Sequence, residues 1–379
     1  MKQTDVLIVG AGPAGLAMAA HLRKRNIDFH IIEKSDRVGN AWHKHYDRLH
    51  LHTVKQLSHL PFKPFPEHYP LYVSKQLLTD YFYEYATTFG IQPQLNTAAK
   101  KMTKNSNGWT VETENGETIE TKQLIIASGV NRHPVHPYFQ DEEDFQGEII
   151  HSRFYKNALA YKGKKVLVIG MGNTGAEIAL DLCENGAESF ISVRSPINIV
   201  PRDIMGRPTQ LTAKKLQKLP NWLSDWIAVQ LRKFTVGDIS RYGIQTPKMP
   251  PMKQLRVTGK TPVIDIGTLE QIKKGNIKVV PAIDRFTTSG VLFKNGDEYP
   301  FDAIILATGY RSGIQDFFDH TEDLLDDYDI PKQVIGKDNF ENVYFLGYDN
   351  YTPGGILGVI NRDSAIIAEH IAKVNSVTV

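Results

Sequence analysis

The chain has 379 residues, 41% of them hydrophobic and 23% charged, with a net charge of +2. That length allows two or more domains around a large buried core. With basic residues read as spread along the chain, the balance excludes a dedicated nucleic-acid surface. Cys183 is the only cysteine, which excludes a disulfide framework, an intramolecular dithiol and a cysteine-rich metal site.

Val6 to Ala20 is almost continuously apolar and sits where a signal peptide's core would. A secretory segment carries its positive charge first. Here Asp5 precedes the run, Gly10, Gly12, Pro13 and Gly15 interrupt it, and Arg23-Lys24-Arg25 follows. No run reaches the roughly 20 apolar residues needed to cross a bilayer. A soluble, cytoplasmic protein without stable membrane insertion is expected.

Asp5 to Val9 is a short β-branched run of the kind buried on both faces of a parallel sheet. It leads directly into Gly10-Ala11-Gly12-Pro13-Ala14-Gly15 and a helical stretch, Leu16 to Lys24. In such a unit one glycine permits the tight turn, one admits a pyrophosphate to the backbone, and one lets helix pack on strand. The helix N-terminus then offers unpaired N–H groups to the phosphates. A second strand, Phe29 to Ile32, ends at Glu33, about twenty residues after the glycines. A carboxylate there accepts from both hydroxyls of an adenosine ribose and repels a 2′-phosphate.

The pattern recurs. Lys165 to Ile169 is followed by Gly170-Met171-Gly172-Asn173-Thr174-Gly175 and a helix over Ala176 to Asn185. The next strand, Ser189 to Val193, ends in Arg194-Ser195 rather than an acid. A guanidinium at that point clamps a 2′-phosphate bidentately and stacks on adenine; a plain surface arginine is the alternative. The first site thus prefers a ribose diol and the second a 2′-phosphate, an FAD and NADPH pair. Two further strands, Leu124 to Ser128 before Gly129 and Ala303 to Thr308 before Gly309, read as crossings out of and back into the first domain. The expected organisation is α/β, with two Rossmann-like dinucleotide-binding domains. Residues 1–156 and 296–379 form a discontinuous FAD domain. Residues 157–295 form an inserted NADPH domain with a helical insertion at about 208–250.

Between the two sites, Phe145-Gln146-Gly147-Glu148-Ile149-Ile150-His151-Ser152-Arg153-Phe154-Tyr155-Lys156 matches the FxGxxxHxxx(Y/F) fingerprint of class B flavin monooxygenases. The segments Tyr46-Asp47-Arg48-Leu49, Gly172-Asn173-Thr174-Gly175, Val193-Arg194-Ser195, Gly259 to Gly267 and Ala307-Thr308-Gly309-Tyr310-Arg311-Ser312 are similar to those of plant YUCCA enzymes. The likeness runs from Asp5 to about Ile371. That family oxidatively decarboxylates indole-3-pyruvate. The resemblance implies a glutathione-reductase-like two-domain flavoprotein in which NADPH reduces the flavin and O2 is captured as a C4a-(hydro)peroxide. It also adds Lys34, Asn40, Ala41, Trp42, Leu49, Gly129, Thr308, Gly309 and Tyr310 to Pro13, Ala14 and the glycines as cofactor-binding positions. His52, His151, Tyr155 and Arg311 become candidates for catalysis. This chain departs from animal-type relatives in having His52 where they carry asparagine, and Gly39-Asn40-Ala41-Trp42 where many have Gly-Gly-x-Trp.

The resemblance leaves the oxygenation open between attack on a carbonyl, as in a 2-oxo acid, and transfer to sulfur or nitrogen. His52 is either a partner of flavin and nicotinamide or a structural residue. His151 is either a tie that senses cofactor or a plain hinge. His43, His45, His50, His52, His59 and His68 lack ligand spacing for a metal. From Leu211 to Phe234, apolar and basic residues alternate around Pro220. A helical cap is expected there, with a helix lying on a membrane as the alternative. Phe62, Phe65, Tyr69, Tyr72, Tyr81 and Tyr351 are candidates for an aromatic substrate pocket or simply for core. A disulfide reductase is excluded by the single cysteine. An NADPH oxidase or a nucleotide-binding redox sensor remains as the alternative class. The partners expected are a small organic substrate and O2, with a homodimer open.

Overall fold

A computed structural model describes residues 2–377. The chain divides into two compact units. The first comprises residues 1–44, 53–133 and 310–379, and the second residues 45–52 and 134–309.

In the first unit, β1 (Lys2–Val9), α1 (Pro13–Lys24) and β2 (Phe29–Ile32) form the chain's first βαβ pattern. After α2 (Lys75–Thr88), an antiparallel run of β3 (Ala99–Asn105), β4 (Gly108–Thr113) and β5 (Thr118–Ile126) returns the chain beside β1. The sheet order is β2-β1-β5-β4-β3. β1 runs parallel to β2 and to β5. The centre of this sheet is fully enclosed, with Val6, Leu7, Ile8 and Leu124 to Ile126 each at 0% exposure. That enclosure is why these strands read as unbroken apolar runs instead of alternating ones.

The second unit repeats the plan. β6 (Glu148–His151) is its edge strand, and β7 (Lys165–Ile169), α3 (Asn173–Glu184) and β8 (Glu188–Ser192) form its βαβ start. Its helical region contains α4 (Thr209–Leu216), α5 (Asn221–Thr235), α6 (Pro251–Thr258) and α7 (Thr268–Lys273). The break between α4 and α5 falls at Pro220, which lacks the N–H a continuous helix needs there. β9 (Ile277–Val280) follows, then an antiparallel meander of β10 (Ile283–Thr287), β11 (Gly290–Phe293) and β12 (Glu298–Pro300). The meander delivers β13 (Ala303–Leu306) between β7 and β6 in a parallel sheet ordered β9-β8-β7-β13-β6. Back in the first unit, β14 (Val343–Phe345) pairs in parallel with β5, and α8 (Gly355–Val377) packs against α1.

Both helices after the glycine motifs begin earlier than their apolar patterns suggest, at Pro13 and Asn173 instead of Leu16 and Ala176. Gly12 and Gly172 take the capping position in extended conformation. Pro13 has its φ preset for the first helical residue, where a missing N–H costs nothing. The early start forces Gly15 onto the turn. A Cβ on Gly15 would stand 1.9 Å from the Gly10 carbonyl oxygen, and one on Gly175 the same distance from that of Gly170. Gly15→Ala must therefore move α1 off β1, lowering stability by at least about 2 kcal/mol. Thermal unfolding of the variant checks this, and an unchanged midpoint would contradict the packing.

Candidate active site

The two glycine motifs form the same cradle. Gly10 lies at φ +110° and Gly170 at +103°, and a Cβ on either would press within 2.6 Å of the carbonyl oxygen of Ala127 or Ala307. Gly12 and Gly172, by contrast, meet nothing within 4 Å. The first and third glycines are thus packed shut while the middle one faces open space at a helix N-terminus. That arrangement fits a diphosphate at each site, with backbone N–H groups and the helix dipole aimed at it. Gly129 (φ +83°) and Gly309 (φ +90°) follow the crossing strands and are equally unobstructed.

Around the first cradle, Glu33 is buried at the end of β2. Its carboxylate accepts hydrogen bonds from Ala11 N at 2.7 Å and Ser35 N at 2.9 Å. It therefore braces the glycine loop against the turn after β2. Asn40 Nδ2 donates to Ser35 Oγ at 2.7 Å, and Trp42 lies edge-on to Phe82. Lys34 and Ala41 are exposed. Pro13 is half-buried and Ala14 buried at the start of α1.

Around the second cradle, Arg194 and Ser195 are exposed just past β8, and Arg194 makes no ion pair among the described residues. Asn173 Oδ1 accepts from Ile264 N at 2.7 Å, tying the start of α3 to the strand Val263–Asp265. Thr174 is half-buried and Leu49 packs on the core of this unit.

The linker fingerprint has a mechanical basis. A Cβ on Gly147 would meet the Phe145 ring at 2.4 Å, so the FxG spacing lets the ring fold over its own chain. His151 closes β6, with both ring nitrogens engaged by backbone. Nδ1 accepts from Arg153 N at 3.1 Å, and Nε2 lies 3.2 Å from the Gly309 oxygen. Burial holds its pKa below the usual imidazole range, only partly opposed by the Gly309 contact. A neutral ring protonated on Nε2 satisfies both bonds. Thr308 Oγ1 donates to Val135 O at 2.5 Å, beside these contacts, and Tyr310 is half-buried. Arg311 is exposed and ion-paired to Asp329 at 3.0 Å.

Two acids on α3, buried and one turn apart, gather the remaining candidates. Glu177 accepts from the Tyr46 hydroxyl and lies 3.2 Å from His52 Nε2. Asp181 accepts from the Tyr155 hydroxyl at 2.5 Å and from Arg48 Nη1 at 3.4 Å, and Arg48 also reaches Glu184 at 2.8 Å. Burial, then the Asp181 carboxylate, pushes the Tyr155 phenol far above its ordinary range, so it acts as a neutral donor. The segment Tyr46 to His52 is thereby clipped along one face of the helix that starts the second cradle. His52 keeps a buried Nδ1 with no hydrogen-bond partner.

Glu177 and Asp181 were not singled out from sequence, and Tyr46 and Arg48 stood there only as part of a family-like segment, without a role. The available signal was a pair of acids four residues apart inside an otherwise apolar helix. The aromatic candidates divide differently from a pocket. Phe65, Tyr69 and Tyr81 are buried against one another, and the Tyr81 hydroxyl donates to Lys63 O at 2.5 Å. Phe62 stays exposed, and Tyr351 donates to Asp326.

Paired dinucleotide cradles on two α/β units, joined to the linker fingerprint and without a dithiol, define a flavin monooxygenase. Residues 7–218 match the family described as pyridine nucleotide-disulphide oxidoreductase. The chain is 38% identical to a probable indole-3-pyruvate monooxygenase, YUCCA8 of Arabidopsis thaliana, over 97% of this chain and 88% of that protein. It is 41% identical to the probable indole-3-pyruvate monooxygenase YUCCA4 of the same plant, over 96% of this chain and 89% of that protein. Among solved structures it is similar to a flavin-containing monooxygenase from Stenotrophomonas maltophilia, with a TM-score of 0.76 at 19% identity over 98% of this chain and 99% of that one. An oxidized steroid monooxygenase bound to NADP gives a TM-score of 0.77 at 18% identity, covering 99% of this chain and 86% of that one. The chain belongs to the YUCCA-type flavin monooxygenases, and is an FAD-dependent enzyme that uses NADPH.

Tyr155→Phe removes a short bond to a buried carboxylate and leaves Asp181 short of a donor. A loss of about 1–3 kcal/mol is expected in chemical denaturation. A change below about 0.5 kcal/mol would remove the hydroxyl from the structural role given to it.

Proposed function

We propose that the enzyme converts a 2-oxo acid of the indole-3-pyruvate type into the acid one carbon shorter. The observation that carries this reading is the 38–41% identity, along nearly the whole chain, to relatives named for that substrate. The balanced reaction is R–CO–COO⁻ + O2 + NADPH + H⁺ → R–COO⁻ + CO2 + H2O + NADP⁺. In this reading FAD lies on the first unit, its diphosphate over Gly12 and the N-terminus of α1, and its ribose hydroxyls facing Glu33. NADPH lies on the second unit over Gly172, with its 2′-phosphate at Arg194. When bound, FAD supplies the two-electron chemistry that activates O2, which no side chain of the protein can.

The protein's own work is to bind, orient and hold protons. Glu33 favours a free ribose diol by accepting its hydroxyls and repelling a phosphate. Arg194 does the reverse at the second site. Glu177 accepts at Nε2 of His52, which leaves the buried Nδ1 as the acceptor for a donor brought by cofactor or substrate. Tyr155 and His151 act as positioning residues, one through Asp181 and the other through the Gly309 backbone. The single half-buried thiol and the use of NADPH accord with a reaction in the cytoplasm.

Two measurements test the assignment. Arg194→Ala is expected to narrow the preference for NADPH over NADH by roughly 10- to 100-fold through KM, the worth of a charge-assisted phosphate clamp. A retained preference would move the 2′-phosphate elsewhere. His52→Asn is expected to raise the H2O2 released per NADPH consumed when indole-3-pyruvate or phenylpyruvate is the substrate. Unchanged coupling would remove His52 from the site. Wild-type turnover of methyl tolyl sulfide without turnover of either 2-oxo acid would overturn the substrate class while leaving the cofactors in place.

A further inference from the structure

Residues 202–260, the helical and hairpin region of the second unit, carry charge unlike the rest of the chain. They hold twelve lysines and arginines against three aspartates, a net of +9, whereas the whole chain is at +2. The even spread of basic residues expected from overall composition is therefore overturned locally, and the remainder of the chain is acidic. The same stretch supplies seven of the seventeen exposed large hydrophobic side chains among the described residues. Met205 is 92% exposed, Phe234 82%, Trp222 72% and Trp226 60%.

Helix α5 shows the anomaly most clearly. Seven of its 15 residues are large and apolar, yet its only buried residue is Ser224. A helix of a globular protein ordinarily hides its apolar stripe against the core. Here Trp222, Trp226 and Lys233 fall within about 40° of arc on one exposed stripe. Preceding them, α4 and its C-terminal turn expose Lys214, Lys215 and Lys218. Met205 stands at the tip of the two-stranded hairpin Asp203–Pro208, in the left-handed region at φ +50°, between Arg202 and Arg207.

We propose that this hairpin with α4 and α5 forms a docking surface for an anionic lipid bilayer, held at the interface and not spanning it. Indole and phenyl rings lie favourably at headgroup depth, lysine stems snorkel, and the cations pair with lipid phosphates. Each basic residue near such a surface contributes attraction that salt weakens. A nucleic acid would use the charge but leave the tryptophans and Met205 in water. A second copy of the chain would bring the same positive patch against itself, since a two-fold contact pairs a surface with its own copy. No helix among the described residues is long and apolar enough to cross a membrane, consistent with attachment from one side.

The test uses the full-length, FAD-loaded enzyme. It is expected to sediment with phosphatidylglycerol-rich vesicles at low salt and to be released by high salt, with little binding to pure phosphatidylcholine. Brominated lipid is expected to quench its tryptophan emission. Trp222→Ser with Trp226→Ser is expected to lower vesicle binding roughly tenfold or more, with flavin content and NADPH oxidation in solution unchanged. Lys214→Glu, Lys215→Glu and Lys218→Glu together should remove the preference for anionic lipid. Absence of vesicle binding at low salt, or binding unaffected by the tryptophan changes, overturns the proposal. Light scattering that shows a dimer abolished by the tryptophan changes, without vesicle binding, assigns the surface to a second copy instead. Tighter retention by DNA than by vesicles assigns it to nucleic acid.

Discussion

Both nucleotide cradles depend on one contact, the third glycine of each motif lying against the carbonyl of the first. There is no space there for a single methyl group, with 1.9 Å between a notional Cβ and the oxygen in each case. The closeness places the helix start directly over the strand end. The free N–H groups of α1 and α3 then converge on the open face of Gly12 and Gly172. Specialisation costs the fold little after that. In the proposed assignment, one residue at the end of the second strand, Glu33 or Arg194, distinguishes the two sites on a shared scaffold.

The second dependence is electrostatic. Glu177 and Asp181 are 2% and 7% exposed on α3. Carboxylates so enclosed are tolerable only when donors surround them. Tyr46, Arg48, His52 and Tyr155 supply those donors and are thereby fixed in place. Stability and site geometry are thus one arrangement. The candidate imidazole is oriented by the same acid whose burial it relieves.

The strands Phe29–Ile32 and Lys165–Ile169 were legible to the residue, because each carries buried β-branched residues directly before a turn signal, and in the second the enclosed stretch Val166 to Ile169 is unbroken and apolar. Helix starts were misplaced by three residues, because Gly12 and Gly172 cap without a side chain and show no usual capping signature. Glu33 and Arg194 stood out because the role proposed for them follows from position along one βαβ unit. Glu177 and Asp181 did not, since their partners lie far away in sequence and no local pattern announces them. The charge of residues 202–260 was present in the sequence and hidden by averaging over an acidic remainder.

The clip formed by Tyr46 to His52 also bears on the order of events during synthesis. Tyr46 leaves the ribosome 131 residues ahead of Glu177, a delay on the order of ten seconds at ordinary elongation rates. Through that interval the segment has no helix to bind. The first unit is equally unfinished, since β14 and α8 are made last and Gln123 finds its partner Asn375 only 252 residues later. The second unit has all of its residues once Gly309 is made, whereas the first still waits for residues 310–379. The two units therefore complete in reverse of the order in which they begin, and an arrested chain exposes buried acids and apolar sheet edges to the cell's quality control.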